Sequence, residues 1–273
     1  MNYKQLKIFA LACMAFDHVT RIFPLHQVFL PLAAGVEGRY PALAAWLMED
    51  LPLFLAFIGR LAAPVFLFCI ANGFFHTHDV RRYGGRILLF AVLAQTPYVL
   101  FDLAEQRMYG LRGEWRETGL NILFTLALGL LAVAAYHRLD RQGRRVWGLL
   151  AVALAALAAQ WLHMEGGRGY ILMIFVFYLT RGLSRPLRAL AFLPAVVLAR
   201  WGLVVWAVTE LSRGAVVNCV LNTLGNYLGM LAALLYNGEK GRAGKGFQWL
   251  SYAFYPAHFA LLALIGLLRP PLV

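Results

Sequence analysis

Charge is scarce in this chain. Of its 273 residues only 14% are Asp, Glu, Lys or Arg, and the acids are fewest, 13 against 25 basic residues. A soluble domain carries about 25% charge and is about 45–50% apolar, whereas here the apolar share is 61%. One water-soluble core of this length cannot hide that surplus, which excludes an ordinary cytosolic enzyme or binding module. Cysteine is scarce too. Cys13, Cys69 and Cys219 lie inside apolar stretches with no Cys-x-x-Cys pair, so neither a disulfide framework nor a thiolate metal centre is expected. A Gly-rich phosphate loop, a Gly-x-Ser-x-Gly elbow and a His-Glu-x-x-His pair are all missing, which removes the common nucleotide-loop, serine-hydrolase and zinc-protease readings. No low-complexity tract or internal repeat divides the chain, and a single integral membrane domain over 1–273 is expected.

What the chain has is long apolar runs. Runs of 18 or more residues match the length a helix needs to cross ~30 Å of hydrocarbon. Hydrocarbon offers the backbone no hydrogen-bond partner, so a spanning segment is a helix or part of a closed barrel. Barrel strands read as alternating stretches of about ten residues, and these runs do not alternate. The pattern therefore predicts an all-α polytopic bundle of about nine helices, near 6–24, 53–77, 83–103, 118–137, 145–163, 168–181, 187–208, 214–236 and 249–268. The first run imitates a signal peptide but contains Asp17 and His18, and reads as an uncleaved helix. The long connection 25–52 is expected to carry a short interfacial helix over 41–50.

The net charge of +12 does not indicate nucleic acid, because the basic residues sit in short clusters between apolar runs. Arg81, Arg82 and Arg86, then Arg138, Arg141, Arg144 and Arg145, then Arg181, Arg185 and Arg188 fall in alternate connections. Lys4 and Lys7 precede the first run. The positive-inside rule then predicts a cytoplasmic N-terminus and an outer C-terminus.

Ionisable groups inside apolar runs are costly and mark function by default. Asp17-His18 is an adjacent pair in the first helix. Neighbours point about 100° apart on a helix, so any group orienting the His18 ring comes from another helix. Arg60 interrupts the second run and needs an anion, either a structural partner such as Asp17 or Asp102 or a substrate oxyanion. Asn72 and His76 close that run. Asp102, preceded by Gln95 and Pro97, and Asn121 lie at the outer ends of the third and fourth helices. Asn218, Asn222 and Asn226 recur every four residues on one face of the eighth, as helix-packing amides or a substrate groove. His258 follows Pro256 in the ninth, where the missing N–H frees a carbonyl. This set suggests proton transfer inside the bundle. By itself it fits a proton-coupled transporter as well as a group-transfer enzyme.

Several blocks together narrow the choice. They are Lys7-Ile8 through Asp17-His18; Ile58-Gly59-Arg60-Leu61-Ala62-x-Pro64; Ala71-Asn72-Gly73-Phe74-Phe75-His76 with Tyr83 and Arg86; Gln95-x-Pro97 with Asp102; Leu120-Asn121 with Phe124-Thr125; and Tyr252-x-Phe254-Tyr255-Pro256-x-His258. In this order and spacing the chain resembles the TraX family, inner-membrane acetyltransferases linked to conjugative pili whose type activity is acetylation of the pilin N-terminus. There is a looser similarity to membrane acyltransferases that use an intramembrane His to move acyl groups from acyl-CoA to extracytoplasmic sugars.

The resemblance implies a bacterial inner-membrane acetyltransferase taking acetyl from cytoplasmic acetyl-CoA to an amine or hydroxyl, on pilin or a glycan, at the outer face. It implies His18 as the catalytic residue, with Asp17 and Arg60 beside it; in the mechanism expected here His18 acts as base or nucleophile, Asp17 or Asp102 orients it, and Arg60 or Asn121 stabilises the oxyanion. Arg81, Arg82, Tyr83 and Arg86, with Asn72 and His76, are expected at the donor, and Asn121, Asn222, Tyr255 and His258 at the acceptor. No metal and no nucleic acid are expected; membrane lipid is, and a homo-oligomer is compatible. The rival readings are a transporter or flippase using the same histidines, and a non-catalytic pilus assembly factor.

Overall fold

A computed structural model describes residues 1–111, 113–242 and 244–270. Among them the chain is helical throughout: α1 (Tyr3–Ile22), α2 (Leu25–Glu37), α3 (Pro41–Ala45), a π-helical turn (Trp46–Asp50), α4 (Leu51–Gly59), α5 (Ala62–His76), α6 (Val80–Met108), α7 (Ile122–Arg141), α8 (Arg145–Trp161), α9 (Gly167–Leu179), α10 (Arg185–Ala199), α11 (Trp201–Glu210), α12 (Arg213–Ala233) and α13 (Lys245–Leu268). The one β-type pairing found is an isolated parallel bridge between Leu120 and Met164.

Every predicted span falls on a helix, but not all are alike. Five helices are long and apolar enough to cross a membrane, or seven if the bent pairs α1–α2 and α10–α11 each count as one span. The other two predicted spans are α8 and α9, with 17 and 13 residues. At 1.5 Å per residue they reach about 26 and 20 Å, short of the ~30 Å core.

Three breaks shape the bundle. Pro24 ends α1, and α2 leaves at 70°, so part of the expected loop 25–52 is helical beyond the interfacial segment at 41–50. The second predicted span breaks at Arg60. Pro64 has no N–H for the Arg60 carbonyl four residues earlier, and the chain tightens there, with Arg60 N bonding Phe57 O and Leu61 N bonding Ile58 O. Glycines let α12 pack onto this break: a Cβ at Gly225 would lie 2.6 Å from Arg60 Cβ, and one at Gly229 2.7 Å from Leu61 O. The third break, at Arg200, turns α11 63° from α10.

The connections collect at two ends. At the amino-terminal end, the Met1 ammonium donates to Leu235 O at 2.6 Å and Tyr3 N to Glu239 O at 2.9 Å. This ties the start of α1 to the α12–α13 loop. An Asn2–Gln5 capping box starts α1 there. At the far end, Leu120 N bonds His163 O, and Arg269 Nη1 bonds Ile22 O at 2.8 Å. One large cluster of buried apolar residues runs through α1, α5–α10, α12 and α13, and a small one (Ala33, Ala44, Leu47) joins α2 to α3 and the π turn.

Candidate active site

Three cavities lie in series through the bundle. At the amino-terminal end is a cavity of about 440 Å³ lined by Tyr3, Lys7, Asn72, His76, Tyr83, Arg86, Lys240, Phe247 and Tyr252. It is basic, with no Asp or Glu in its lining. Lys7 Nζ sits over the rings of Tyr3 and Tyr252 at 5.3 and 5.6 Å, and the Arg86 guanidinium over Tyr83 at 6.0 Å. None of Lys7, Arg86 or Lys240 makes an ion pair among the described residues. Of the six residues expected at the donor, Asn72, His76, Tyr83 and Arg86 line this cavity. Arg81 and Arg82 do not, which corrects that expectation. Arg81 points away from the face of α6 that carries Tyr83 and Arg86, and Arg82, one turn before Arg86, is exposed at the helix start with its Nε on Asp79 Oδ2 at 3.1 Å. Asp79 caps α6 by accepting from Arg82 N, and that bond holds its carboxyl below the usual carboxylate range.

A narrow, mostly apolar neck of about 70 Å³ follows, lined by Leu11, Cys69, Ile70, Ile87 and Leu126 among others. It shares Tyr3, Lys7, Tyr83 and Tyr252 with the basic cavity, and Met14, Phe66, Ile122 and Tyr255 with a third cavity of about 50 Å³. That third cavity holds Asp17, His18, Arg21, Arg60, Glu165, Tyr170, Arg200 and Asn226.

His18 is 8% exposed, with its ring against Phe101 and Phe259. Its Nδ1 lies 2.8 Å from His258 Nε2, and His258 Nδ1 lies 2.9 Å from the Phe254 carbonyl oxygen. A carbonyl only accepts, so His258 Nδ1 carries a proton. In the neutral ring His258 Nε2 is then the acceptor, and His18 Nδ1 donates to it. His18 Nε2 is thereby left with its lone pair. The group that orients His18 does come from another helix, but it is His258 on α13 rather than a carboxylate. Asp17 Oδ2 is 4.0 Å from His18 Nε2, beyond hydrogen-bond range.

Asp17 instead holds cations. Its carboxylate is 3.5 Å from Arg21 Nη2 and 4.0 Å from Arg60 Nη1, and Arg21 continues to Glu105 at 3.5 Å. Of the two partners considered for Arg60, Asp17 is therefore the one in reach. Asp102 accepts from Gln106 Nε2 at 3.0 Å and Thr118 Oγ1 at 2.6 Å. It anchors the 109–121 connection and lines none of the cavities, so the expected place beside His18 is corrected.

Asn121 is fully buried and its amide is fully used. Oδ1 accepts from Leu123 N, and Nδ2 donates to Ala91 O and Gln95 Oε1. It caps α7 and has no donor left for a substrate. Asn222 bonds Asn218 within α12 and lies outside the cavities, while Asn226, one turn on, accepts from Arg200 Nη2 at 3.1 Å inside the third one. Tyr255 lines the junction of neck and third cavity, and His258 stands behind His18.

Sequence reasoning gave no role to Lys7, Tyr3 and Tyr252, which line the basic cavity, or to Arg21, Glu165, Tyr170 and Arg200 in the inner one, and it placed Asn226 only in the asparagine stack of the eighth helix. Arg200 carried a signal, being an arginine inside an apolar run. Glu165 sits in a connection, where an acid is unremarkable. Among the described residues no group of three His, Cys, Asp or Glu is placed to hold a metal ion.

Comparison with known proteins agrees with the motif blocks. A relative from Dichelobacter nodosus, described as probable fimbrial assembly protein FimC, serogroup H1, is 32% identical over 267 residues, covering 94% of this chain and 93% of its own. No solved structure matches the chain. A family model described as TraX protein matches residues 2–266, and on that extent this multi-pass membrane protein belongs to the TraX family.

Proposed function

We propose that this chain is a membrane-embedded acetyltransferase drawing on acetyl-CoA, and that its amino-terminal end faces the cytoplasm of a bacterial inner membrane. The observation that carries the reading is the run of cavities. A wide basic chamber leads through a slim neck to a buried histidine whose free nitrogen lines a small polar pocket. Acetyl-CoA has the matching shape, with a charged nucleotide head, a thin arm and a reactive carbonyl at the tip. Unpaired Lys7, Arg86 and Lys240 suit the phosphates through charge-assisted bonds, and the tyrosines and Phe247 suit the base. Lys7 marks the neck entrance and His18 the far side. They are eleven residues apart on α1, about 16 Å, a distance the arm has to bridge.

In the reaction, His18 Nε2 takes the proton of an acceptor amine or hydroxyl as its N or O attacks the thioester carbonyl. The tetrahedral intermediate collapses with loss of the C–S bond, and the proton returns from His18 to the departing CoA sulfur. Asp17, 4.0 Å from Nε2, stabilises the transient imidazolium. The acceptor arrives at the far end. The relative's description as a fimbrial assembly protein makes a pilin amine or a pilus glycan the first acceptors to try.

Thermal stability of the purified protein with CoA and acetyl-CoA tests this. A ligand at ~100 Kd that binds only the folded state stabilises by about 2.7 kcal/mol. Stabilisation by both, lost in Lys7→Gln and Arg86→Gln without a change in unliganded Tm, is expected. No shift with either ligand would remove the donor and leave a non-catalytic assembly role. The paired histidines also suit proton-coupled transport, which predicts substrate flux in proteoliposomes with no acetyl-CoA consumed.

A further inference from the structure

The neck meets the inner pocket at a wall made by Met14, Phe66, Ile122 and Tyr255. Tyr255 is only 5% exposed, and its hydroxyl has no hydrogen-bond partner. The Ile122 amide on the same wall is already given to Glu165 Oε2 at 3.1 Å. A buried, unpartnered hydroxyl is costly, and native structures rarely keep one without cause. Packing is not the cause. The ring lies edge-on to Phe259 at 5.0 Å and to His258 at 5.7 Å, and a phenylalanine would make the same contacts.

Resting on the acetyltransferase reading, we propose that the Tyr255 hydroxyl is the oxyanion donor, hydrogen-bonding the thioester oxygen as acetyl crosses from the neck to His18. The two other groups considered for this task are placed differently. Asn121 has no free donor, and the nearer Arg60 nitrogen faces Asp17. Tyr255 and His258 are three residues apart and share a face of α13. One helix therefore carries the donor and, through His258, the setting of the base. As the acceptor N or O bonds to the carbonyl carbon, the C=O π pair moves to oxygen, and the phenol O–H donates to that oxyanion. When the C=O bond reforms, the C–S bond breaks, the sulfur leaves with the electron pair and takes the proton held by His18. The tyrosine keeps its own proton throughout.

Tyr255→Phe removes the hydroxyl alone. Free thiol release from acetyl-CoA is followed in proteoliposomes, with water, a primary amine and a sugar offered as acceptors. Loss of one oxyanion donor lowers kcat by about 10²–10³-fold. KM for acetyl-CoA and its thermal stabilisation are expected to persist, and the unliganded Tm to hold or rise, since an unpartnered polar group is gone. A wild-type kcat in the variant overturns the assignment. A fallen Tm with weakened CoA stabilisation overturns it too, by making the hydroxyl structural. Thiol release by neither protein overturns the acetyltransferase reading itself, and this inference with it.

Discussion

The two polar cavities are built on opposite electrostatic plans. The amino-terminal one sets Lys7, Arg86 and Lys240 among aromatic faces with no carboxylate in its lining. The inner one interlocks both signs, with Asp17 and Glu165 among Arg21, Arg60 and Arg200. Cations without counter-charge attract an anion and hold it. Fixed charges that already neutralise each other bind little, but they are preorganised around charge that appears briefly. On the acetyltransferase reading, the first plan suits capture of an anionic donor and the second suits a charge that develops only during transfer.

The sharpest way to break this contrast is His18→Ala. Transfer is expected to fall by at least the 10²–10⁴-fold that a general base contributes, while stabilisation by CoA is unchanged. Loss of CoA binding in a folded His18→Ala protein would show that the two ends are not separate. Next in size is His258. Without it the His18 ring loses the partner that fixes its tautomer, and misplacement on the order of 1 Å costs about 10²-fold. His258→Gln, whose amide oxygen can still accept from His18 Nδ1, is expected to restore part of the rate that His258→Ala loses. Equal losses in both would argue against the relay. The smallest effect concerns the scaffold. A Cβ at Gly59 would lie 2.1 Å from Asp17 Oδ1, whereas one at Gly38 meets nothing within 4 Å. Gly59→Ala should cost about 1–3 kcal/mol of stability through overpacking, with Gly38→Ala near neutral by thermal melt. A neutral Gly59→Ala would mean α4 is free to move away from α1.

Much of the bundle was legible, because hydrocarbon demands long apolar runs and little else produces them. Where the reading failed, backbone chemistry was at work inside a run. Pro64 was visible, yet its consequence falls four residues upstream at Arg60, inside a run whose overall hydropathy shows no break. Pro24 and Pro31 made 25–52 look like a loop, but Pro24 only precedes the first turn of α2, and the helix continues past Pro31 although the Gln27 carbonyl four residues earlier has no N–H there to accept from.

The inner site was partly legible. Asp17, His18, Arg60 and His258 stand out because each is expensive where it lies. Asp102 and Asn121, polar groups at helix ends, turn out to anchor connections, since cost identifies a need for partners without saying which kind. The basic cavity was the least legible part. Tyr3 and Tyr252 near helix ends look like an ordinary interfacial belt, and Arg86 differs from Arg81 in the angular phase of α6 but from Arg82 only in lying one turn deeper.

The neck also has an electrical consequence. A membrane potential acts on every charge across it, at about 2.3 kcal/mol per elementary charge per 100 mV. Water-accessible polar chambers conduct that potential inward from each side, so it drops most steeply across the least polar stretch between them. Here that stretch is the roughly 70 Å³ neck, with Lys7 at one rim and Tyr255 at the other. On the acetyltransferase reading, a neck just wide enough for a thin arm would also insulate the two sides from each other and hinder protons from passing the histidines.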